Sequence, residues 1–169
     1  MHSFNGKTFI RPIFPTFADD ANMCSDASKQ GYGATFGTSW IQGNWPEDWR
    51  ELDITVLELY PVYMLVTVHA HKLKNSHIIF RCDNQAVVEI LNKQSSKHKF
   101  VMKIIRTLVL VLLQNNIILR AVHIPGKTNI LCDSLSRQVA NPAMLSQFGM
   151  QPYPTPVPSK LLPQNFKRD

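Results

Sequence analysis

The sequence predicts a mixed α/β domain: one five-stranded sheet, three antiparallel strands followed by parallel ones, flanked by helices. Three observations predict it. Residues 23–45 contain three extended runs divided by glycine-bearing turns. Apolar residues then recur at helical spacing, at Leu59, Val62, Tyr63, Val66 and Ala70. From His77 onward, short strand-like runs alternate with helical ones, the signature of parallel strands joined by helical crossovers. The expected order is β-β-β-α-β-α-α-β-α.

The opening hairpin spans Met23 to Gly37. Gly31 and Gly33 are expected to supply its turn, since glycine reaches positive φ cheaply. Asp26 sits near the end of the first strand, where an acid is either an ordinary turn former or part of a site. Ser39 to Trp45 partly alternates and reads as the third strand. Pro46, Glu47, Asp48, Glu51 and Asp53 follow as an acidic, solvated loop. A helix is expected over Thr55 to Leu73, with Pro61 kinking it unless it lies in the first turn. Thr55-Val-Leu-Glu58 fits a capping box, which gives Glu58 a purely structural reading. His77 to Cys82 reads as a buried strand ending at Asp83, Asn84 to Asn92 and Lys97 to Gln114 as helices, and Ile117 to Ile124 as the last strand. Pro125-Gly126 breaks that strand, and Thr128 to Arg137 reads as a short helix carrying Asp133.

The folded domain is therefore placed at residues 21–140. Residues 1–20, with Pro12 and Pro15, read as an extended lead-in. Phe17-Ala-Asp-Asp20 resembles the paired-Asp motif of reverse-transcriptase polymerase sites, but sixteen preceding residues are too few for a polymerase palm, so a solvated loop is expected. From Asn141 the chain is Pro-rich and reads as an extended tail or linker.

Composition limits the function classes. With 44% hydrophobic and 18% charged residues the chain has globular composition. The net charge of +6 and pI near 9.4 suit a polyanionic partner such as nucleic acid. Between Asn92 and Arg106, Lys93, Lys97, Lys99, Lys103 and Arg106 form a basic run, read either as a solvated helix face or as a phosphate-tracking one. Cys24, Cys82 and Cys132 are few and widely spaced, which argues against a disulfide framework and a zinc site and favours an intracellular setting, cytoplasm or nucleus. No signal-peptide pattern opens the sequence, and the longest apolar run, Leu108 to Leu113, is far short of the ~20 residues a membrane span needs. No membrane partner is expected.

Four acids fall on distant elements of this order: Asp26 on the first strand, Glu58 in the long helix, Asp83 at the end of the fourth strand and Asp133 on the last helix. If the first and fourth strands are neighbours, all four can reach one sheet edge. Gathered carboxylates repel one another unless cations neutralise them. Mg²⁺ prefers such oxygen ligands. Two such ions ~4 Å apart can activate a water and stabilise the leaving oxygen of a phosphodiester.

Four stretches, Ser25-Asp-Ala-Ser28, Glu58-Leu-Tyr-Pro61, Cys82-Asp-Asn-Gln85 and His123-Ile-Pro-Gly-Lys-Thr-Asn-Ile-Leu-Cys-Asp-Ser-Leu-Ser-Arg137, together resemble the ribonuclease H domain of a retroelement reverse transcriptase. Trp40-Ile-Gln-Gly-Asn-Trp-Pro46, Leu57 to Pro61 and Asn92-Lys-Gln-Ser-Ser-Lys97 are most similar to DIRS-type retrotransposons. The resemblance covers roughly residues 22 to 140. It implies a ribonuclease H-like fold and a two-metal hydrolysis, with two Mg²⁺ (or Mn²⁺), of the RNA strand of RNA–DNA hybrids. It implies Asp26, Glu58, Asp83 and Asp133 as metal-binding catalytic acids, and His123 as the loop histidine that assists proton transfer or product release. It implies Ser28, Asn84, Gln85, Asn129, Lys93 and Lys97 as substrate contacts, with recognition resting on helix shape and the 2′-hydroxyl.

The resemblance departs from some cellular ribonucleases H in leaving little room for a separate basic protrusion between Asn92 and Gln114. A polymerase domain encoded elsewhere is a possible partner. The alternative reading is a non-catalytic ribonuclease H-like module that binds nucleic acid or docks a polymerase. An integrase-type site is disfavoured, because the acids run Asp, Glu, Asp, Asp rather than ending on a late Glu.

Overall fold

The computed structural model describes residues 22–168; the lead-in and Phe17-Ala-Asp-Asp20 lie outside the described residues. Five strands, β1 (Met23–Ala27), β2 (Gly31–Phe36), β3 (Ser39–Asn44), β4 (His77–Cys82) and β5 (Ile118–His123), form one sheet in the order β3-β2-β1-β4-β5. The β1–β2 and β2–β3 pairs are antiparallel, and the β1–β4 and β4–β5 pairs parallel. This is the expected mixed sheet. β1 is its middle strand and is buried along its whole length, with helices packed on both faces.

The first turn is made differently from the expectation. Gly31 and Gly33 lie inside β2 in the extended conformation, and neither has a positive φ. The Ser28 side chain closes the turn instead. Its Oγ accepts hydrogen bonds from the backbone N–H groups of Gln30 and Gly31, at 3.1 and 3.2 Å. The two glycines are required by close approach. A Cβ on Gly31 would strike the Gly43 carbonyl of β3, and a Cβ on Gly33 would strike Leu135.

The acidic loop contains a helical turn, α1 (Glu47–Arg50), whose Trp49 is fully buried. The long helix α2 (Ile54–Val68) is buried without interruption from Val56 to Val66, because it lies between the sheet and a further helix. Asp53 caps it, its carboxylate accepting from the Thr55 N–H at 2.8 Å. The Thr55–Glu58 capping box therefore does not form. Pro61 lies well inside the helix rather than in its first turn. The helix stops at His69, and a separate turn α3 (Ala70–Leu73) completes the stretch.

After β4 come α4 (Gln85–Lys93) and α5 (Lys99–Gln114); α4 covers β5, and α5 packs on α2. Asn92 of α4 hydrogen-bonds both the N–H and the carbonyl of Ala121, so its side chain acts as a short strand partner on the edge strand β5. Beyond β5, a 3₁₀ turn at Gly126–Thr128 leads into α6 (Ile130–Ser136), which lies on the other face against β1 and β2.

Residues 141–168 differ from an extended linker standing off the domain. They begin with α7 (Pro142–Gln147) and then run back across the sheet edge and the helical face. The Gln151 and Thr155 N–H groups donate to the Thr38 and Trp40 carbonyls, covering the exposed edge of β3. Leu161 and Pro163 are buried, and the Tyr60 hydroxyl donates to the Leu161 carbonyl at 2.7 Å. Apolar residues among and after the prolines (Leu145, Leu161 and Phe166) make this packing possible. No helix among the described residues is long and apolar enough to cross a membrane.

Gly33→Ala is expected to destabilise the protein by about 1–3 kcal/mol, because the added methyl forces α6 away from β2. Urea unfolding measures this; an unchanged midpoint would mean that α6 yields freely.

Candidate active site

The parallel register Met23↔Phe80 and Cys24↔Arg81, continued two residues, sets Asp26 beside the end of β4, where Asp83 follows Cys82. The two acids lie at the C-terminal ends of adjacent parallel strands, the edge at which open α/β sheets present their sites. Asp26 is 7% exposed and Glu58, delivered by the second turn of α2, is 6% exposed. Asp83 and Asp133 are partly open to solvent. Asp133 projects from α6 near enough to Asp26 for its charge to be felt there. The structure thus brings Asp26, Glu58, Asp83 and Asp133 to one end of the sheet.

The electrostatics of this group are unfavourable by themselves. Burial is the largest cause pushing the Glu58 carboxyl up to about 9. The charges of Asp26 and Asp83 and a hydrogen bond with Asp26 push the same way. Burial also pushes Asp26 up to about 6, against a hydrogen bond from Ser136 that favours its charged form. Glu58 Oε2 is buried and has no hydrogen-bond partner among the described residues. A buried carboxylate oxygen without a donor costs stability, and a cation removes that cost.

Ligand atoms of Glu58, Cys82 and Asp83 lie within 4.8 Å of one another. Burial first, and then the carboxylates around it, push the Cys82 thiol up to about 12, so the sulfur stays protonated. What remains for a metal is a carboxylate oxygen set, which fits hard cations such as Mg²⁺ or Mn²⁺ better than a thiolate-seeking ion. The orphaned Glu58 oxygen and this carboxylate donor set fit such a cation.

Around the acids are positioning contacts. The Ser136 hydroxyl donates to Asp26 Oδ2 at 2.9 Å. Arg137 Nε pairs with Asp133 Oδ1 at 2.8 Å, one helical turn apart and on an exposed surface. A Cβ on Gly126 would stand 3.1 Å from Asp83 Oδ2, so the loop backbone packs directly against that carboxylate. Sequence reasoning misses Ser136, Arg137 and Gly126 as site residues. Ser136 lies three residues after Asp133, on the same helix face, and that spacing is the signal that could have found it.

His123 ends β5, opposite Cys82, and its Nε2 lies 3.2 Å from the Asp83 carbonyl. It is exposed and adjacent to the acids, at the end of the strand rather than in the loop after it. The other polar residues separate into two groups. Asn84 is half-buried and caps α4 through its Oδ1; Gln85, Lys93 and Lys97 are exposed. Ser28 donates to the Ser136 carbonyl at 2.8 Å, and the buried Asn129 donates to the Ser25 carbonyl at 3.0 Å. Both side chains are engaged in tying α6 to β1.

No family model and no curated protein matches the sequence. Solved structures do match. The chain is similar to the RNase H1 of the halophilic archaeon Halobacterium salinarum NRC-1, with 13% identity and a TM-score of 0.52, over 70% of this chain and 96% of that one. It is similar to LC11-RNase H1, isolated from compost by a metagenomic approach, with 16% identity and a TM-score of 0.53, over 69% and 92%. It is similar to the N-terminal RNase H domain of a Mycobacterium tuberculosis protein, with 17% identity and a TM-score of 0.54, over 71% and 96%.

Metal-free protein is expected to lose stability as pH rises. The folded chain holds protons on Glu58 and Asp26 that the unfolded chain, at the ordinary values of 4.5 and 3.8, has already released. Stability therefore falls between about pH 4 and 9, most of it through Glu58. Melting temperatures in EDTA should show this slope, Glu58→Gln should flatten it, and Mg²⁺ should raise the melting temperature more at pH 8 than at pH 5.5. A Glu58→Gln profile as steep as the parent's would contradict this account.

With its strand order, crossing helices and neighbours taken together, the chain is folded as a ribonuclease H-like domain.

Proposed function

We propose that this protein is a divalent-metal endonuclease that hydrolyses the RNA strand of RNA–DNA hybrids. The observation that carries the reading is the pair of buried carboxyls, Asp26 and Glu58, beside Asp83, with one Glu58 oxygen left without a donor. Such a group is costly as a structural feature and useful as a cation site. The basic net charge and the RNase H1 neighbours support the same reading.

Asp26, Glu58, Asp83 and Asp133 would hold two Mg²⁺ or Mn²⁺. The ions, when bound, supply an activated water and charge for the leaving oxygen. The residues of the chain do the rest. Ser136 fixes the orientation of the Asp26 carboxylate. Arg137 restrains Asp133 through an exposed ion pair. His123, exposed beside Asp83, is placed to carry a proton to or from the reacting phosphate or to assist product release. Asn84, Gln85, Lys93 and Lys97 reach the surface from which a duplex would approach. Ser28 and Asn129 serve by holding α6 and β1 in register.

The same reading extends to origin. The motifs between residues 22 and 140 support a ribonuclease H part of a retroelement reverse transcriptase of DIRS type, working with a polymerase domain encoded elsewhere. The domain proper would be residues 21–140, with residues 141–168 as an appended segment that packs onto it.

Cleavage of a labelled RNA–DNA hybrid in Mg²⁺ tests the activity. Asp83→Asn should reduce it to background. Ser136→Ala, which takes away a hydrogen bond behind a metal ligand, should cost about 10–100-fold in activity or Mg²⁺ affinity. Absence of cleavage at every Mg²⁺ and Mn²⁺ concentration, with hybrid binding retained, would replace this reading with a non-catalytic binding module.

A further inference from the structure

Two of the three cysteines meet beside the acids. Cys24 lies on β1, two residues before Asp26, and Cys132 lies on α6, immediately before Asp133. Their sulfurs are 3.0 Å apart, although 108 residues separate them along the chain. Both are free thiols and both are buried, Cys132 completely. The third cysteine, Cys82, is buried at the end of β4 and has the Asn84 backbone as its partner. Wide spacing in the sequence argues against a disulfide framework, but it does not bear on two thiols that folding brings into contact.

The contact is held at three points. At the start of α6 the Asn129 amide donates to the Ser25 carbonyl at 3.0 Å, and at its end the Ser136 hydroxyl donates to Asp26 Oδ2 at 2.9 Å. Cys132 lies between these ties on α6. The third point is Thr35 of β2, which pairs with Cys24 in the antiparallel register. Its hydroxyl donates to the Asn22 carbonyl at 3.0 Å, so its one proton is used. Thr35 Oγ1 therefore accepts from the Cys24 thiol, at 3.0 Å, and Cys24 Sγ accepts from the Cys132 thiol. Closing a disulfide shortens the sulfur contact by about 1 Å.

One of the two thiols can be reached. A cleft of about 300 Å³ is lined by Cys24, Arg81, Ile124, Asn129, Leu131 and Phe148. A water molecule's share of the liquid is about 30 Å³, so hydrogen peroxide, little larger, enters such a cleft. Cys24 meets the oxidant, and Cys132, fully buried behind it, stands where a resolving thiol is needed. The helix that carries Cys132 has only seven residues. It packs with Trp40, Leu145 and Met150 in a small cluster separate from the main core. Such peripheral elements are those that open locally in a folded protein, and a covalent bond to the central strand closes that opening.

We infer that Cys24 and Cys132 are a peroxide-sensitive modification site, converted to a disulfide that staples α6 to β1 beside the acids. In the first step the Cys24 sulfur attacks hydrogen peroxide. The O–O bond breaks, an S–O bond forms, and Cys24 sulfenic acid and one water result. In the second step the Cys132 sulfur attacks the Cys24 sulfur. The S–S bond forms, the S–O bond breaks, and the hydroxide leaves with the thiol proton as a second water. Peroxide is reduced, the two thiols are oxidised, and a dithiol reductant reverses the change. Neither the bond nor its consequences depend on the proposed nuclease activity.

The test uses the full-length protein, fully reduced, freed of reductant and held in EDTA. Hydrogen peroxide in slight excess should lower the number of titratable thiols from three to one, and the intact mass should fall by two hydrogens. Peptide mapping should join the segments holding Cys24 and Cys132 and leave Cys82 a free thiol. Dithiothreitol should restore all three. The oxidised protein should melt about 5–15 °C above the reduced one, and the α6 amides should exchange more slowly. In Cys132→Ala, peroxide should leave a sulfenic acid on Cys24 that dimedone traps; mapping of the parent decides if that variant fails to fold. A folded parent in which no Cys24–Cys132 link forms would overturn the inference. So would a bond that includes Cys82, or a linked product that melts below the reduced protein, since each means that the pair does not close within the native fold. A protein that forms the bond and never cleaves hybrids refutes the catalytic reading alone. One that cleaves hybrids and never forms the bond refutes the thiol pair alone.

Discussion

Two carboxyl groups buried side by side at the end of a central strand are the constraint around which the molecule is arranged. Asp26 and Glu58 come from elements packed against one another, a middle strand and a helix buried along most of its length, so neither can swing into water. The low polarity that makes the sheet centre stable also raises the cost of their charge. The protein supplies the Ser136 hydroxyl and a backbone hydrogen bond at Ala27 to Asp26, and no donor among the described residues to Glu58 Oε2. Positive charge bound beside such a pair would relieve that cost.

The elements that bring the acids together are held by unusually close backbone approach. α6 lies so near β2 that Gly33 has no space for a methyl group, and the Ser28 hydroxyl and the Asn129 amide both reach across to bond backbone carbonyls. These contacts fix Asp133 and Ser136 relative to Asp26. On the opposite face, the tail packs against α2 and the aromatic residues around Trp49, which supports the helix that carries Glu58. The two faces are stabilised by separate hydrophobic clusters, and the acids sit where the faces meet at the strand ends.

Much of this arrangement is legible along the chain. Strand and helix periods locate β1 to β5 and the main helices, because half-buried strands alternate and one-sided helices repeat every three to four residues. The departures are equally informative. Thr55 and Glu58 have the spacing of a capping box, but the competing cap at Asp53 lies two residues earlier and releases Glu58 to the site. Gly31 and Gly33 have the composition of a turn, whereas their requirement is steric contact with β3 and α6, which no local pattern encodes. The proline-rich end has the composition of a linker, since its few apolar residues have no period, yet Leu145, Leu161 and Phe166 find places on a surface built by distant elements.

By itself, the sequence determined the alternation of strands and helices, the basic charge and the four acids on four separate elements, because these depend on local composition and spacing. The tertiary structure alone decided that the acids share one sheet edge, that one carboxylate oxygen is left without a donor and that the C-terminal segment packs back onto the domain. Those facts depend on which surfaces meet in space. Segments as far apart as Asp26 and Ser136, or Trp49 and Arg168, carry no mark in the chain of the contact they will make.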